Sequence, residues 1–256
     1  MAAHSLTILP NGYLTIDRSI LIAGTDIGVK IQVPVWSVLL MHEEGPILID
    51  TGLHPGALND PEEVWGPRAR LIQPVMTRED VIASRLQALH IEPAAVRMVI
   101  LTHMHWDHTG GLKYFTHCPI VVQKAEHRFA FAPDTFVAAQ YMRNHFDLPV
   151  RYEQIEGDQV LLPGVSVVKT SGHSPGHQSV IVKLRSGASY VIAGDAVSTL
   201  DNIRLKIPGS NVWSAQLAAE SISRLEHLTD LLGAGLFPSH DGECWKEFRK
   251  APACYE

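Results

Sequence analysis

The chain is poor in cysteine and in charge and has no long apolar run, and each shortage removes a class of protein. Its three cysteines, Cys118, Cys244 and Cys254, are odd in number and stand at no paired spacing, so neither a disulfide framework nor a four-cysteine zinc site is expected. A reducing compartment suits such a chain. Charged residues make up only 19% of the 256, the net charge is −6, and lysine and arginine nowhere cluster, which removes the electrostatic footprint of a nucleic-acid binder. No apolar run approaches the ~20 residues that a membrane helix needs. The opening Met1-Ala2-Ala3-His4-Ser5-Leu6 lacks a basic segment followed by an apolar one, so neither secretion nor membrane insertion is expected, and a cytoplasmic location is. What is present is 46% apolar, enough for one large core over residues 1–256. A small molecule is the expected partner, and a homodimer is allowed for.

One stretch is dense in metal-binding side chains: Leu101-Thr102-His103-Met104-His105-Trp106-Asp107-His108-Thr109-Gly110-Gly111. Three imidazoles and a carboxylate fall within six residues. They follow the apolar run 96–101, which reads as a buried strand entering a glycine-terminated loop. Strand ends are where α/β proteins place ligands. Neutral imidazole nitrogen and carboxylate oxygen are donors that zinc prefers, and in a turn His103 and His105 can converge on one ion while Asp107 and His108 point to another. The alternative is a run of surface histidines.

Before this stretch, residues 6–9 and 13–16 read as strands separated by a turn at Pro10-Asn11-Gly12, and residues 33–41 and 47–50 as two more joined by Glu43-Glu44-Gly45-Pro46. The last ends in Asp50-Thr51-Gly52, where Asp50 either caps the following turn or supports a site. Residues 54–77, with four prolines and no period, read as a long loop in which Trp65 lines an entrance or packs on the surface. A helix is predicted from Thr77 through about Leu89. Past the motif, a strand over 119–123 and a helix over 124–131 lead to an amphipathic helical insertion around 133–149 that ends before Pro149. His117 and His127 lack metal-like spacing and read as structural.

From residue 150 strands dominate, at 150–155, 159–162, 165–169, 179–184 and 190–193. Two strand ends carry chemistry: Gly172-His173 in the loop after 169, and Gly194-Asp195 after 193. Residues 214–232 form the clearest helix, followed by a short strand that ends in His240 and a last helix over 244–250.

The stretch His103-Met104-His105-Trp106-Asp107-His108 followed by Gly110-Gly111 resembles the signature of the metallo-β-lactamase superfamily. The resemblance implies a four-layer αββα sandwich of the α/β class, with the site at the shared edge of two sheets. It also implies two zinc ions per chain, one bound by His103, His105 and His173 and the other by Asp107, His108 and His240, with Asp195 bridging them and Asp50 behind the ligands. Such a pair hydrolyses acyl bonds, and Asp107 is the expected catalytic proton shuttle.

Within the superfamily, Asp195 stands where the β-lactamases of two subclasses place cysteine, and too little chain follows His240 for the helical domain of glyoxalase II. The strand Val33-Pro34-Val35-Trp36-Ser37-Val38-Leu39, Ile49-Asp50-Thr51-Gly52, Ser239-His240-Asp241 and the near-terminal Tyr255 are similar to the N-acyl homoserine lactonase and 4-pyridoxolactonase group. That likeness implies opening of a lactone ring, as in quorum quenching, with hydrolysis of another ester, thioester or amide as the alternative and a non-hydrolytic scaffold as a third reading. One departure is that Ser198 occupies the place where acyl homoserine lactonases carry a tyrosine donor.

Overall fold

Strands that are apolar on both faces must lie between two layers, because successive side chains of a strand point to opposite sides. Residues 38–40 and 47–49 are such runs. In the computed structural model, which describes residues 3–256, they sit in the middle of a seven-stranded sheet. That sheet contains β1 (Ser5–Asp17), β2 (Lys30–His42), β3 (Gly45–Ile49), β4 (Gln73–Val75), β5 (Met98–Ile100), β6 (Pro119–Gln123) and β7 (Arg151–Ile155), in the order β4-β1-β2-β3-β5-β6-β7. A second sheet holds β8 (Gln159–Leu162), β9 (Val165–Lys169), β10 (Gln178–Lys183), β11 (Ser189–Gly194) and β12 (Gly235–Pro238), in the order β12-β11-β10-β9-β8.

The alternation sorts side chains into layers. Leu6, Ile8, Val38, Leu40, Ile47, Ile49, Ile100 and Val121 face the second sheet and meet Val165, Val167, Val180, Val182, Ile192 and Phe237. The intervening Leu39, Leu48, Val99, Ile120 and Val122 point outward and are covered by Ile82 and Leu86 of the Ile82–Ala88 helix and by Ala130 of the Lys124–Phe131 helix. On the other side, Ile222 and Leu225 of the Ala215–Leu232 helix cover Val168, Val191 and Ala193. The result is the expected αββα order. Each fully buried Leu or Ile contributes about 1.5–3 kcal/mol, so the two sheets hold each other chiefly by this interleaved core.

Strand direction then collects the chemistry at one edge. β3, β5, β6 and β7 are mutually parallel, and β11 and β12 are parallel in the other sheet. The C-terminal ends of β5, β9, β11 and β12 therefore open on the same side. Among the described residues no helix is long and apolar enough to cross a membrane.

Several expected elements differ. The predicted turn at Pro10-Asn11-Gly12 is a bulge inside one continuous β1: the register to β2 shifts between Pro10 and Tyr13, and pairing runs from Ser5↔Met41 to Asp17↔Lys30. The β2 template extends across the turn residues, which a bulge accommodates without ending the strand. The expected loop over 54–77 contains short helical turns at Pro55–Leu58, Pro61–Trp65 and Gly66–Arg70 followed by β4. The middle turn starts on Asp60, whose side chain accepts from Glu63 N at 3.0 Å, with Pro61 in its first turn, a local cap and proline pair.

The helix expected from Thr77 is interrupted at Val81, which takes extended angles between Arg78–Asp80 and Ile82–Ala88. The insertion over 133–149 is not one helix but two turns, Ala138–Gln140 and Arg143–Phe146. Its aromatic residues go separate ways: Phe136 is 69% exposed, while Tyr141 and Phe146 are buried in the outer core. A helix over Leu200–Leu205, capped by Thr199 and Asn202, was not expected.

Candidate metal centre

The site begins where β5 stops pairing. His103 and His105 follow it closely, and His105, in extended backbone, is the N-cap of the turn Trp106–Thr109, which carries Asp107 and His108. The four side chains thus leave the chain in two directions from one short segment. His173 comes from the loop between β9 and β10. Its neighbour Gly172 has φ +137°, and a Cβ there would lie 2.1 Å from Ala218 N, so glycine lets this loop rest against the start of the Ala215–Leu232 helix.

Asp195 follows Gly194, at φ +56°, where a Cβ would come within 2.7 Å of His177 Nε2. His240 follows β12, and its backbone N–H donates to Ser198 O at 2.9 Å, tying it to the Asp195 loop. The indole of Trp36 holds the same loop through Ser239 O at 2.6 Å.

All seven expected ligands meet. His173 Nε2 lies 2.9 Å from His105 Nδ1 and 3.3 Å from Asp195 Oδ2, and His103 Nε2 is 4.0 Å from that same oxygen. The other Asp195 oxygen, Oδ1, is 3.3 Å from both His108 Nε2 and His240 Nε2. Asp107 Oδ2 stands 3.7 Å from each of those two nitrogens. Asp195 therefore offers one oxygen to each of two histidine groups, which is the geometry of a bridging carboxylate.

This cluster fits a cation on two grounds. His103 Nε2, His108 Nε2 and Asp195 Oδ1 are buried without a hydrogen-bond partner, a condition rare for polar atoms in folded proteins. The tautomers agree with it: Pro34 O, an acceptor, takes a proton from His240 Nδ1 at 2.8 Å, and Asp50 Oδ2 takes one from His108 Nδ1 at 2.8 Å, so both Nε2 atoms are left as bare donors of electron pairs.

Burial holds His103, His105 and His173 below the ordinary imidazole pKa, keeping them neutral as ligation requires. Burial also opposes charge on His108 and His240, yet the surrounding carboxylates raise both. Against its own burial, Asp195 is held well below the usual carboxylate range by His240, His108 and His173. The pocket thus calls for positive charge.

Two buried carboxylates hold the ligands from behind. Asp50, with φ +57°, accepts from Thr102 N and Thr102 Oγ1 at 2.8 Å each as well as from His108, which selects the supporting role over the turn cap. Glu126 was not foreseen. It accepts from Met104 N at 2.9 Å, Tyr141 Oη at 3.1 Å, Ser174 Oγ at 2.6 Å and Gly176 N at 3.0 Å, joining the His103–His108 segment to the His173 loop. Burial pushes its pKa up, although four donors serve its oxygens. Gln178 adds a second tie, donating from Nε2 to Leu101 O at 2.8 Å. The only sequence signal for Glu126 is its place at the start of the helix after β6, one strand over from the motif.

His117 bonds Val96 O through Nε2 at 2.9 Å and His127 packs on Phe131 and Tyr152, so neither joins the cluster. Trp65, 3% exposed, packs on Trp106 with ring centroids 4.4 Å apart and stands behind the cleft wall. The cleft is lined by His105, Asp107, Asp195 and His240, by the apolar Leu14, Ile16, Leu21, Val33 and Ile72, and by the polar Arg68, Gln140, Ser198 and Asn211. Sequence reading missed Arg68 because nothing local shows which way a side chain of a short turn points.

Known proteins resemble this chain over nearly its whole length. The N-acyl homoserine lactonase AiiA of Bacillus thuringiensis subsp. kurstaki is 34% identical over 253 residues, 98% of this chain and 99% of its own. The N-acyl homoserine lactonase AttM of Azorhizobium caulinodans is 32% identical over 240 residues, 90% of each chain. A solved structure of an N-acyl homoserine lactone hydrolase, with the product N-hexanoyl-L-homoserine bound at the catalytic metal center, superposes with a TM-score of 0.92 at 34% identity and covers 100% of both chains. The profile of the metallo-beta-lactamase superfamily matches residues 31–240, a span that runs from β2 to the last of the seven clustered side chains, and the chain belongs to that superfamily.

Proposed function

We propose that this protein is a dinuclear zinc lactonase that hydrolyses the ring ester of N-acyl homoserine lactones, the compounds on which its relatives act by name, and that it thereby quenches quorum signals. The observation that carries this reading is the split of Asp195 between two histidine groups in a cleft that is also lined by Leu14, Ile16, Leu21, Val33 and Ile72. His103, His105 and His173 would hold one zinc and Asp107, His108 and His240 the second, with Asp195 available to both groups. When bound, the pair supplies Lewis-acid polarisation of the ring carbonyl and acidifies a water enough for attack at neutral pH.

The chain's own residues do the rest. Asp195 sets the spacing of the two groups, and Asp50 and Glu126 keep their histidines in place. Asp107 carries the proton lost by the attacking water to the ring oxygen as the carbonyl carbon–oxygen bond breaks. Water and lactone thus give one hydroxy acid, the open N-acyl homoserine, with a carboxylate and a hydroxyl. Leu14, Ile16, Leu21, Val33 and Ile72 receive the acyl chain, at roughly 0.8 kcal/mol per buried methylene.

Ser198 lines the cleft at 9% exposure, three residues after Asp195, and its hydroxyl is short for the role of the lactonase tyrosine. This favours a second reading in which the same centre opens a different ester, thioester or amide. Metal analysis of the purified protein, together with a panel of acyl homoserine lactones, simple γ- and δ-lactones, thioesters and aryl esters, separates the two. Ring opening of the acyl homoserine lactones, lost on chelation and restored by zinc, is expected. Turnover of other acyl bonds without any lactone would transfer the function to the second reading.

A further inference from the structure

Among the cationic side chains of the described residues, Arg68 is unusual in being turned inward without a partner. Its turn, Gly66–Arg70, sends Arg70 out to Glu62, with Nη2 to Oε2 at 2.8 Å. Arg68 instead enters the cleft beside His105, Trp106 and Asp107. Its guanidinium carbon lies 5.9 Å from the centre of the Trp106 ring, within the reach of a cation–π contact. Its Nε is buried and has no hydrogen-bond partner. The carboxylate that acts on it through space is Asp107, which belongs to the ligand cluster.

A buried N–H left unbonded is costly to a fold, and the residues that line the cleft with Arg68, among them Leu14, Ile16, Ile72, Gln140 and Asn211, give its Nε no hydrogen-bond partner. The group that would satisfy it is an oxygen arriving with the ligand. A planar guanidinium is matched best by a carboxylate or amide oxygen.

We propose that Arg68 is a specificity-determining residue that donates from Nε to a carbonyl or carboxylate oxygen of the substrate lying outside the ring that is opened. Resting on the lactonase reading, this oxygen is the acyl amide oxygen of an N-acyl homoserine lactone. Arg68 thereby distinguishes lactones that carry an amide from alkyl lactones that do not. The competing role is mere packing on Trp106, which a side chain of similar length without donors would also perform.

The test compares the zinc-loaded parent with Arg68→Met and Arg68→Lys. Arg68→Met is expected to raise KM for N-hexanoyl homoserine lactone about tenfold or more, the effect of one lost charge-assisted hydrogen bond, with kcat within about threefold. For a γ-alkyl lactone of similar size, KM should change by less than about twofold. Arg68→Lys should recover part of the loss, and all three proteins should hold the same zinc. Equal losses on both lactones, or no loss on either, would overturn the assignment. Calorimetric titration with the ring-opened N-hexanoyl homoserine keeps the inference independent of turnover, and the parent should bind it about tenfold more tightly than Arg68→Met. If the parent opens no lactone, the lactonase reading falls, while this titration still decides Arg68: equal affinities, or no binding to the parent, overturn it.

Discussion

Behind the ligand cluster, the loops are tied to one another through satisfied carboxylates, Glu126 serving Met104, Ser174 and Gly176, and Asp50 serving Thr102 and His108. The wall across the cleft, built from residues 54–77 and 138–146, is a chain of short turns. There Arg68 Nε, Trp65 Nε1 and both ring nitrogens of His145 are buried with no partner. A fully bonded buried polar network rigidifies its surroundings, while a buried donor without a partner is costly until one reaches it. The two regions differ in how their polar groups are served: the clustered imidazoles and carboxylates stand on loops tied together at the ends of two sheets, and the wall carries the unpartnered donors, among them the Arg68 Nε on which the specificity proposal rests.

The comparison is broken most severely on the ligand side. His173→Ala removes a ligand that also faces Asp195, so both activity and metal should fall together, activity by more than the ~10–100-fold typical of changes to groups behind the ligands. Metal per chain measured beside kcat checks this, and an unchanged metal content would remove His173 from the set. Glu126→Gln tests the support itself. It places an amide NH₂ where four donors converge, so a loss of about 10–100-fold in metal affinity or kcat is expected. A Glu126→Gln protein with parental values would show that the link between the two loops is packing alone.

On the wall side the expected effects are smaller. His145, 2% exposed and stacked on His54 with ring centroids 4.8 Å apart, is held by burial at a pKa of about 3, below its ordinary 6.5. The unfolded chain therefore takes up a proton there that the folded chain does not, and stability falls as pH drops from about 6.5 towards 3. His145→Phe should remove about 1 kcal/mol of the loss between pH 6.5 and 5.5, with little change at neutral pH. Thermal unfolding across that range reads it, and an identical pH slope in the variant would mean that other groups carry the acid sensitivity.

Ser198→Ala should change kcat on N-acyl homoserine lactones by less than about threefold, because in the proposed mechanism a bound zinc pair would supply the main stabilisation of the developing oxyanion. A positioned oxyanion donor is worth ~10²-fold, so a hundredfold loss would assign that role to Ser198.

Much of the molecule is legible in the chain because the relevant physics is local. His103, His105, Asp107 and His108 are neighbours in sequence, and a strand followed by one turn suffices to split them into two pairs. The Ala215–Leu232 helix is marked by Ser214 at its start and Gly233 in left-handed conformation at its end, both short-range effects. The continuous apolar runs of β2 and β3 likewise report two-sided burial directly.

Long-range contacts decided the remainder. Whether Pro10-Asn11-Gly12 ends a strand or bulges within it depends on β2 pairing across it. The segment 133–149 breaks into two turns, with the Tyr141 hydroxyl held by Glu126 and Gln140 Nε2 bonded to Asn211 O at 3.1 Å. The convergence of His173, Asp195 and His240 on the motif was legible only through resemblance to a family, since 65 or more residues separate each of them from the motif. Sequence by itself therefore determined the ligand types and the period of the elements around them. The fold alone determined that Glu126 stands behind the ligands and Arg68 points into the cleft, because side-chain direction in a short turn is set by what packs against it and not by its neighbours in the chain.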